Sequence, residues 1–167
     1  SSRALGSRVT SATGWSAELY AFGDDNKAAF ERLFTDPGCR LITLHGLGGA
    51  GKTRLAHAFA TQVGPGFAQG VSRVALETCE SADALPQAIA ETLGRDAPAR
   101  GDRADAVVQM LARQKRLLVL DNFESLLDGN APSDADPIAF VLKILQTAPQ
   151  VRLVVTSREV LGLQEEW

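Results

Sequence analysis

The sequence predicts an α/β fold in which a mainly parallel sheet is covered by helices on both faces. Short apolar segments alternate with helix-length segments along the chain, and most of the apolar segments lack polar alternation. Strands separated by helices join through right-handed crossovers, and a parallel strand buried on both faces is apolar throughout. Ligands of such sheets bind at the carboxyl ends of the strands.

Length and composition fit one globular domain. The chain has 167 residues, of which 45% are hydrophobic and 22% charged, and its net charge is -3. This charge argues against a dedicated nucleic-acid-binding domain, and no apolar run reaches the roughly 20 residues that span a bilayer. Two cysteines are too few for a disulfide framework. We therefore expect a cytoplasmic domain that contacts neither membrane nor nucleic acid directly.

The boundaries of the elements follow from apolar spacing and from residues that start or stop helices. Residues 1–19 are rich in Ser and predict a linker or N-terminal extension, which leaves 20–167 as the domain. The predicted helices cover residues 24–34, 52–63, 83–93, 102–114 and 137–147, with a short helical stretch through Leu127. The predicted strands cover residues 40–45, 71–77, 117–120 and 151–155.

A glycine-rich segment at residues 46–53 fits the phosphate-loop pattern G-x-x-x-x-G-K-[ST] and lies between a predicted strand and a predicted helix. Its glycines let several backbone N–H groups converge on one anion, and the helix start adds unpaired N–H groups. Lys52 supplies charge for the β- and γ-phosphates, and the Thr53 hydroxyl suits Mg²⁺. The predicted nucleotide contacts are Gly46, Gly48, Gly49, Ala50, Gly51, Lys52, Thr53 and Arg54.

A carboxylate follows the apolar strand 117–120. Beside a phosphate loop, Asp121 is typical of a residue that holds Mg²⁺, so Thr53 and Asp121 form the predicted metal site. The next residue, Asn122, cannot accept a proton, although fast ATPases often place a general base there. Glu124 either reaches inward as the base or lies exposed on a short helix. We therefore expect hydrolysis to be slow or dependent on a partner.

The last predicted strand is followed by Thr156, Ser157 and Arg158. Two hydroxyls and a guanidinium at the carboxyl end of a strand suit the recognition of a γ-phosphate, because arginine presents forked donors to phosphate oxygens. Arg158 is accordingly predicted to distinguish ATP from ADP.

Segments 40–56, 116–127 and 151–159 together resemble the STAND class of signal-transduction ATPases, which includes the NB-ARC domains. The likeness is closest to the ATPase modules of large bacterial transcriptional regulators. It implies a P-loop NTPase core in which the strand ending at Val155 lies between the phosphate-loop strand and the Asp121 strand. It also implies ATP or ADP, with Mg²⁺, as the cofactors.

The resemblance is incomplete in two places. Residues 21–25 occupy the position of an upstream segment that touches the nucleotide, but the arginine of that segment is missing. The helical and winged-helix portion that holds ADP in this class would follow residue 167. We therefore expect a fragment of a longer multidomain protein, with a winged helix, sensor repeats and an effector as partners and with ATP-dependent self-association.

The function implied is an ATP/ADP switch in which MgATP binding promotes an active assembled state and slow hydrolysis resets it. As an enzyme, the chain is expected to be a slow ATPase whose catalytic residues are Lys52, Asp121, Glu124 and Arg158. Two alternatives stay open: a P-loop phosphotransferase and a nucleotide-binding scaffold that does not hydrolyse.

Overall fold

The computed structural model describes residues 6–11, 16–20, 40–45, 52–94, 102–127 and 136–158. Within these residues the chain forms one sheet with helices on both faces. The strands are β1 (Gly6–Ser11), β2 (Ser16–Tyr20), β3 (Leu41–His45), β4 (Val71–Ala75), β5 (Leu117–Asp121) and β6 (Arg152–Ser157). The helices are α1 (Lys52–Val63), α2 (Leu85–Thr92), α3 (Arg103–Ala112), α4 (Glu124–Leu127) and α5 (Pro137–Thr147).

The strands lie in the order β2-β1-β3-β6-β5-β4, and the last four are parallel. Strand β6 lies between β3 and β5: Val155 pairs with Thr43 on one side and with Leu120 on the other. This is the strand order that the resemblance implied. It brings the carboxyl ends of β3, β5 and β6 to one edge of the sheet, where ligands of parallel sheets bind.

Two apolar clusters lie on opposite faces of the sheet and give the fold its three layers. On one face, Phe59 of α1 packs in a cluster with Ile42 of β3 and Val119 of β5. On the other face, α2, α3 and α5 pack against the alternate strand residues, such as Leu118 and Val155. The residues 117–120 are at most 2% exposed, because both of their faces are covered. The predicted three-layer α/β fold is confirmed.

Most boundaries of helices and strands fall within a few residues of the prediction, and several of them have identifiable local residues. Gly94 follows α2 with φ +70°, a backbone conformation that favours glycine. Asp102 caps α3 by accepting a hydrogen bond from the N–H of Asp105 at 3.1 Å. Strand β4 ends early because residues 76–78 form a 3-10 turn. Strand β6 continues to Ser157, two residues beyond the prediction. The helix predicted at 24–34 lies outside the described residues.

The N-terminal segment contributes two strands to the sheet. Strand β1 pairs antiparallel with β2 and also lies antiparallel beside β3, with Val9 opposite Leu44. Residues 6–11 and 16–20 form paired strands, and the assignment of residues 1–19 as a linker or N-terminal extension stays a prediction. The domain boundary at residue 20 stays a prediction.

Arg40 stabilises the amino-terminal edge of the sheet through hydrogen bonds to backbone carbonyls. Its guanidinium donates to the carbonyl of Val151 at 3.0 Å, to the carbonyl of Leu145 at 3.1 Å and to the carbonyl of Ala148. These contacts tie the end of α5 to the starts of β3 and β6. Burial, and next the charge of Arg152, lowers the pKa of Arg40.

Among the described residues, no helix is long and apolar enough to cross a membrane.

Candidate functional site

Asp121 is the centre of the polar group at the carboxyl edge of the sheet. It is the last residue of β5 and is 7% exposed. Its Oδ1 accepts hydrogen bonds from the hydroxyl of Thr53 at 2.9 Å and from the hydroxyl of Thr156 at 2.6 Å. Three elements, α1, β5 and β6, therefore meet at one carboxylate oxygen, and this contact joins the two residues of the predicted metal site.

The second oxygen of Asp121 accepts a hydrogen bond from Arg73. The distance from Arg73 Nη2 to Asp121 Oδ2 is 2.7 Å, and the pair is also an ion pair. Burial alone would raise the pKa of Asp121. The hydrogen bonds from Thr156, Arg73 and Thr53, together with the charge of Arg73, outweigh burial and hold that pKa below its usual value. The carboxylate is therefore ionised near neutral pH.

Thr53 owes its position to the start of α1, which begins at Lys52 directly after the glycine segment. Arg54, next along the helix, is exposed. The other predicted nucleotide contacts lie outside the described residues: Gly46, Gly48, Gly49, Ala50 and Gly51, together with the side chain of Lys52. Their roles stay predictions.

Glu124 and Arg158 meet at the ends of α4 and β6. The Glu124 side chain is 17% exposed, so it is largely covered, and its role as a general base stays a prediction. Its Oε1 lies 3.7 Å from Nε of Arg158, whose side chain is 66% exposed. This distance is an ion pair but exceeds hydrogen-bond length. Arg158 is therefore weakly held and faces solvent.

Asn122 connects the two halves of this group. Its backbone has φ +69°, which is uncommon for a residue other than glycine, and its N–H donates to the Thr156 hydroxyl at 2.8 Å. Oriented to satisfy its neighbours, its side-chain amide donates to the Glu124 carboxylate and accepts from the Ser125 hydroxyl at 3.0 Å. A continuous network thus runs from Thr53 through Asp121 to Glu124.

The structure changes the prediction for the end of β6. The Thr156 hydroxyl donates to Asp121 and accepts from the Asn122 N–H, so it positions the carboxylate. Ser157 is 0% exposed. Of the three residues expected to meet a γ-phosphate, Arg158 is the exposed one.

The contact of Arg73 with Asp121 is not predicted by the sequence. Strand β4 alternates exposed and buried residues, so Arg73 fits an ordinary solvated position in the pattern. Its contact with Asp121 depends on the register between β4 and β5, in which Arg73 lies opposite Val119 and Ala75 lies opposite Asp121. No motif in the sequence gives that register.

The donor chemistry of this group suits a hard cation. The Thr53 hydroxyl and the Asp121 carboxylate are both oxygen donors, they lie 2.9 Å apart, and a helix and a buried strand fix them. Mg²⁺ prefers such oxygen ligands and usually retains several waters. The residues therefore fit the metal that the phosphate-loop pattern predicts.

The parallel sheet with strand order β3-β6-β5-β4, and the carboxylate beside the helix that follows the glycine segment, define the P-loop NTPase class of α/β proteins. Within that class, residues 40–166 match the NACHT domain. The chain belongs to the NACHT family, and the STAND class named from the motifs agrees with this at a coarse level.

Two mycobacterial relatives resemble the same region. A protein of Mycobacterium tuberculosis that is named an HTH-type transcriptional regulator is 34% identical over 128 residues, covering 76% of this chain and 13% of that protein. An uncharacterised M. tuberculosis protein is 32% identical over 135 residues, covering 81% of this chain and 32% of that protein. The chain thus matches only about an eighth of the length of the regulator.

The N-terminal segment resembles a different family. Residues 9–37 match the photosynthetic complex reorganisation protein PuhC. A 17.4 kDa protein of Rhodobacter capsulatus, encoded in the puhA 5′ region, is 82% identical over 22 residues, which is 13% of this chain and 14% of that protein. This match ends just before the NACHT match begins.

Proposed function

We propose that this chain is the ATP/ADP-binding switch module of a signal-transduction ATPase. MgATP binding promotes an active assembled state, and slow hydrolysis to ADP resets it. The observation that carries the proposal is the 2.9 Å hydrogen bond between Thr53 and Asp121. This bond brings the hydroxyl of the helix that follows the glycine segment against the carboxylate at the end of β5, and both oxygens suit the Mg²⁺ of a bound nucleotide.

The glycine segment and the ends of β5 and β6 have different proposed roles in binding. As the phosphate-loop pattern predicts, the backbone N–H groups of residues 46–51 and of the start of α1 would bind the phosphates, and Lys52 would add positive charge. Thr53 and Asp121 would hold Mg²⁺. When bound, this ion neutralises charge on the β- and γ-phosphates. Thr156 keeps the Asp121 carboxylate in place, because its hydroxyl donates at 2.6 Å.

Arg158 is suited to detect the γ-phosphate. Its guanidinium is 66% exposed, and its ion pair with Glu124 at 3.7 Å is long enough to yield to a phosphate. A ligand shifts a conformational equilibrium only through contacts that differ between the two states. A contact made by Arg158 to ATP and lost in ADP is such a difference.

Slow hydrolysis follows from the residues after β5. Asn122 has no basic group to accept a proton from water. Glu124 is the available carboxylate, but it is engaged by the Asn122 amide and by Arg158. It must leave these partners before it can act as a general base, which predicts a low turnover in the isolated module.

The setting of the switch is proposed from the relatives. One relative is named an HTH-type transcriptional regulator, and this chain matches 13% of its length. We propose that the module works in the cytoplasm inside a regulator of this kind, with winged-helix, sensor-repeat and effector parts as partners. Its own contacts are then with nucleotide, with those parts and with further copies of itself, and not with membrane or nucleic acid.

The phosphotransferase alternative finds less support. It needs an arginine-bearing lid over the phosphates. Arg95, Arg100 and Arg103 are the arginines that cluster in the sequence, and of these Arg103 lies within the described residues. Arg103 lines a cavity with Pro86 of α2 and Phe140 of α5, on the face of the sheet opposite α1. Thr53 reaches Asp121 from the α1 side. A scaffold that binds nucleotide without hydrolysis stays an outcome of the tests.

Calorimetric titration of the purified chain with MgATP, ADP and MgGTP tests the proposal. Tighter binding of MgATP than of ADP, with no binding of MgGTP, is the expected result. Lys52→Ala should remove most triphosphate affinity, while Lys115→Ala, at an exposed lysine, should not. Undiminished MgATP binding by the Lys52 variant would contradict the phosphate-loop assignment. Binding without measurable turnover would favour the scaffold.

A further inference from the structure

Arg73 reaches Asp121 across a part of the sheet that α1 leaves open. Helix α1 packs on β3, β5 and β6, whereas Val71, Arg73 and Ala75 of β4 are exposed. A cavity of about 400 Å³ lies between α1 and β4, and its lining includes His57, Thr61 and Arg73. The Arg73 side chain is 44% exposed and has room to move into this space.

The contact also decides the charge balance of Asp121. The donors at its Oδ1 are the neutral hydroxyls of Thr53 and Thr156, while the donor at its Oδ2 is the cationic guanidinium of Arg73. Arg73 therefore supplies the counter-charge that a divalent cation would otherwise supply. Two cations within a few ångströms of one carboxylate repel each other, so Arg73 and a metal cannot share Asp121 without a cost.

We propose that Arg73 is a positioning residue that competes with Mg²⁺ for Asp121. It holds the carboxylate while the metal is absent and turns into the cavity beside α1 when the metal binds. Because the guanidinium is nearly half exposed, its bond to Asp121 is weak enough to be displaced. The consequence is that tight nucleotide binding requires a higher Mg²⁺ concentration than it would if Arg73 did not contact Asp121. The proposal rests on the proposed function, since it needs a nucleotide whose binding depends on Mg²⁺.

A purely structural role predicts the opposite sign. If Arg73 only preorganised Asp121, its removal would misplace the carboxylate and weaken Mg²⁺ binding. If Arg73 competes, its removal strengthens Mg²⁺ binding. The direction of the change therefore separates the two roles.

The experiment measures the affinity of the full chain for ATP by calorimetry over a series of Mg²⁺ concentrations. The readout is the midpoint, which is the Mg²⁺ concentration that gives half of the total change in ATP affinity. Arg73→Met keeps the aliphatic stem and removes the charge, and Arg73→Gln is a second neutral variant. We expect both to lower this midpoint about three- to tenfold. Arg73→Lys keeps the charge, and because Arg73 gives Asp121 a single hydrogen bond and not a bidentate pair, this variant should stay within about twofold of the unchanged chain. Arg113→Met removes the same charge from an exposed position on the α3 side and should leave the midpoint unchanged.

The outcomes separate this inference from the proposed function. Midpoints that stay the same or rise in both neutral variants overturn the competition, even when the unchanged chain binds MgATP as proposed. An equal fall in Arg113→Met would assign the effect to overall charge and also overturn it. A failure of the unchanged chain to bind ATP, or binding that ignores Mg²⁺, contradicts the proposed function itself. Unfolding midpoints in EDTA, measured on each variant, show that the folded protein is being compared.

Discussion

The two edges of the parallel sheet use arginine in different ways. At the amino edge, where β3 and β5 begin, Arg40 donates to backbone carbonyls, and Arg116 donates to the side chains of Gln114 and Ser72. At the carboxyl edge, where β5 and β6 end, the partners are carboxylates: Asp121 faces Arg73, and Glu124 faces Arg158.

The difference lies in what a ligand can replace. A carbonyl at the end of a helix is fixed by the fold, and an arginine that satisfies it stabilises the folded state only. A carboxylate and an exposed guanidinium can each exchange their partner for a metal or a phosphate. Arginines of one sheet therefore divide into those that contribute stability and those available for function, according to their partners. Four substitutions test this division.

Arg40→Ala should give the largest effect, and the effect should be on stability. It removes the half-buried guanidinium together with its three hydrogen bonds, so the carbonyls of Leu145, Ala148 and Val151 lose that donor. We expect the free energy of unfolding to fall by about 2–4 kcal/mol, measured by urea denaturation. Arg113→Ala, at an exposed site, is the matched control. A loss below about 1 kcal/mol would show that Arg40 does not fasten this edge.

Asp121→Ala should act on the metal. The variant loses the carboxylate that lies against Thr53, so ATP affinity should no longer increase with Mg²⁺. We expect the ATP affinity measured in Mg²⁺ to fall by the value of one charged contact, about 1.5–3 kcal/mol, which corresponds to about ten- to a hundredfold. Calorimetric titration with ATP in EDTA and in Mg²⁺ gives the comparison. Retained Mg²⁺ dependence would place the metal elsewhere.

Arg158→Ala should weaken ATP binding by about tenfold and leave ADP binding nearly unchanged, because the γ-phosphate is present in ATP alone. The side chain is 66% exposed, so the unfolding midpoint should not move. Titrations with MgATP and MgADP under one set of conditions measure the difference. Equal losses for the two nucleotides would refute a role in detecting the γ-phosphate.

The sequence predicted those parts of the site that local patterns specify. Asp121 and Thr53 each follow directly from a motif at the end of a strand or the start of a helix, and the resemblance gave the strand order that brings them together. Arg73 could not be predicted in the same way, because its contact depends on strand register and on the extent to which α1 covers the sheet.

Other features were beyond local patterns as well. The φ of +69° at Asn122 reflects the bond from its N–H to Thr156, which lies on another strand. Strand β1 has the Ser- and Thr-rich composition of a linker, and its pairing with β3 is a long-range contact. The ion pair of Glu124 with Arg158 likewise joins α4 to the end of β6, which no local pattern specifies.

Arg116→Ala should have the smallest effect, and it tests whether the amino edge is uniform. The guanidinium donates to Gln114 Oε1 at 2.7 Å and to the Ser72 hydroxyl, and burial lowers the pKa of Arg116. Its partners are neutral side chains, and the Gln114 side chain can turn toward water. We therefore expect the free energy of unfolding to fall by about 1 kcal/mol. A double-mutant cycle with Ser72→Ala isolates the bond to the buried hydroxyl and should give a coupling of about 0.5–1 kcal/mol. If Arg116→Ala instead changed the ratio of ATP to ADP affinity, the separation of the two edges would fail, because an arginine distant from the carboxylates would then influence the nucleotide.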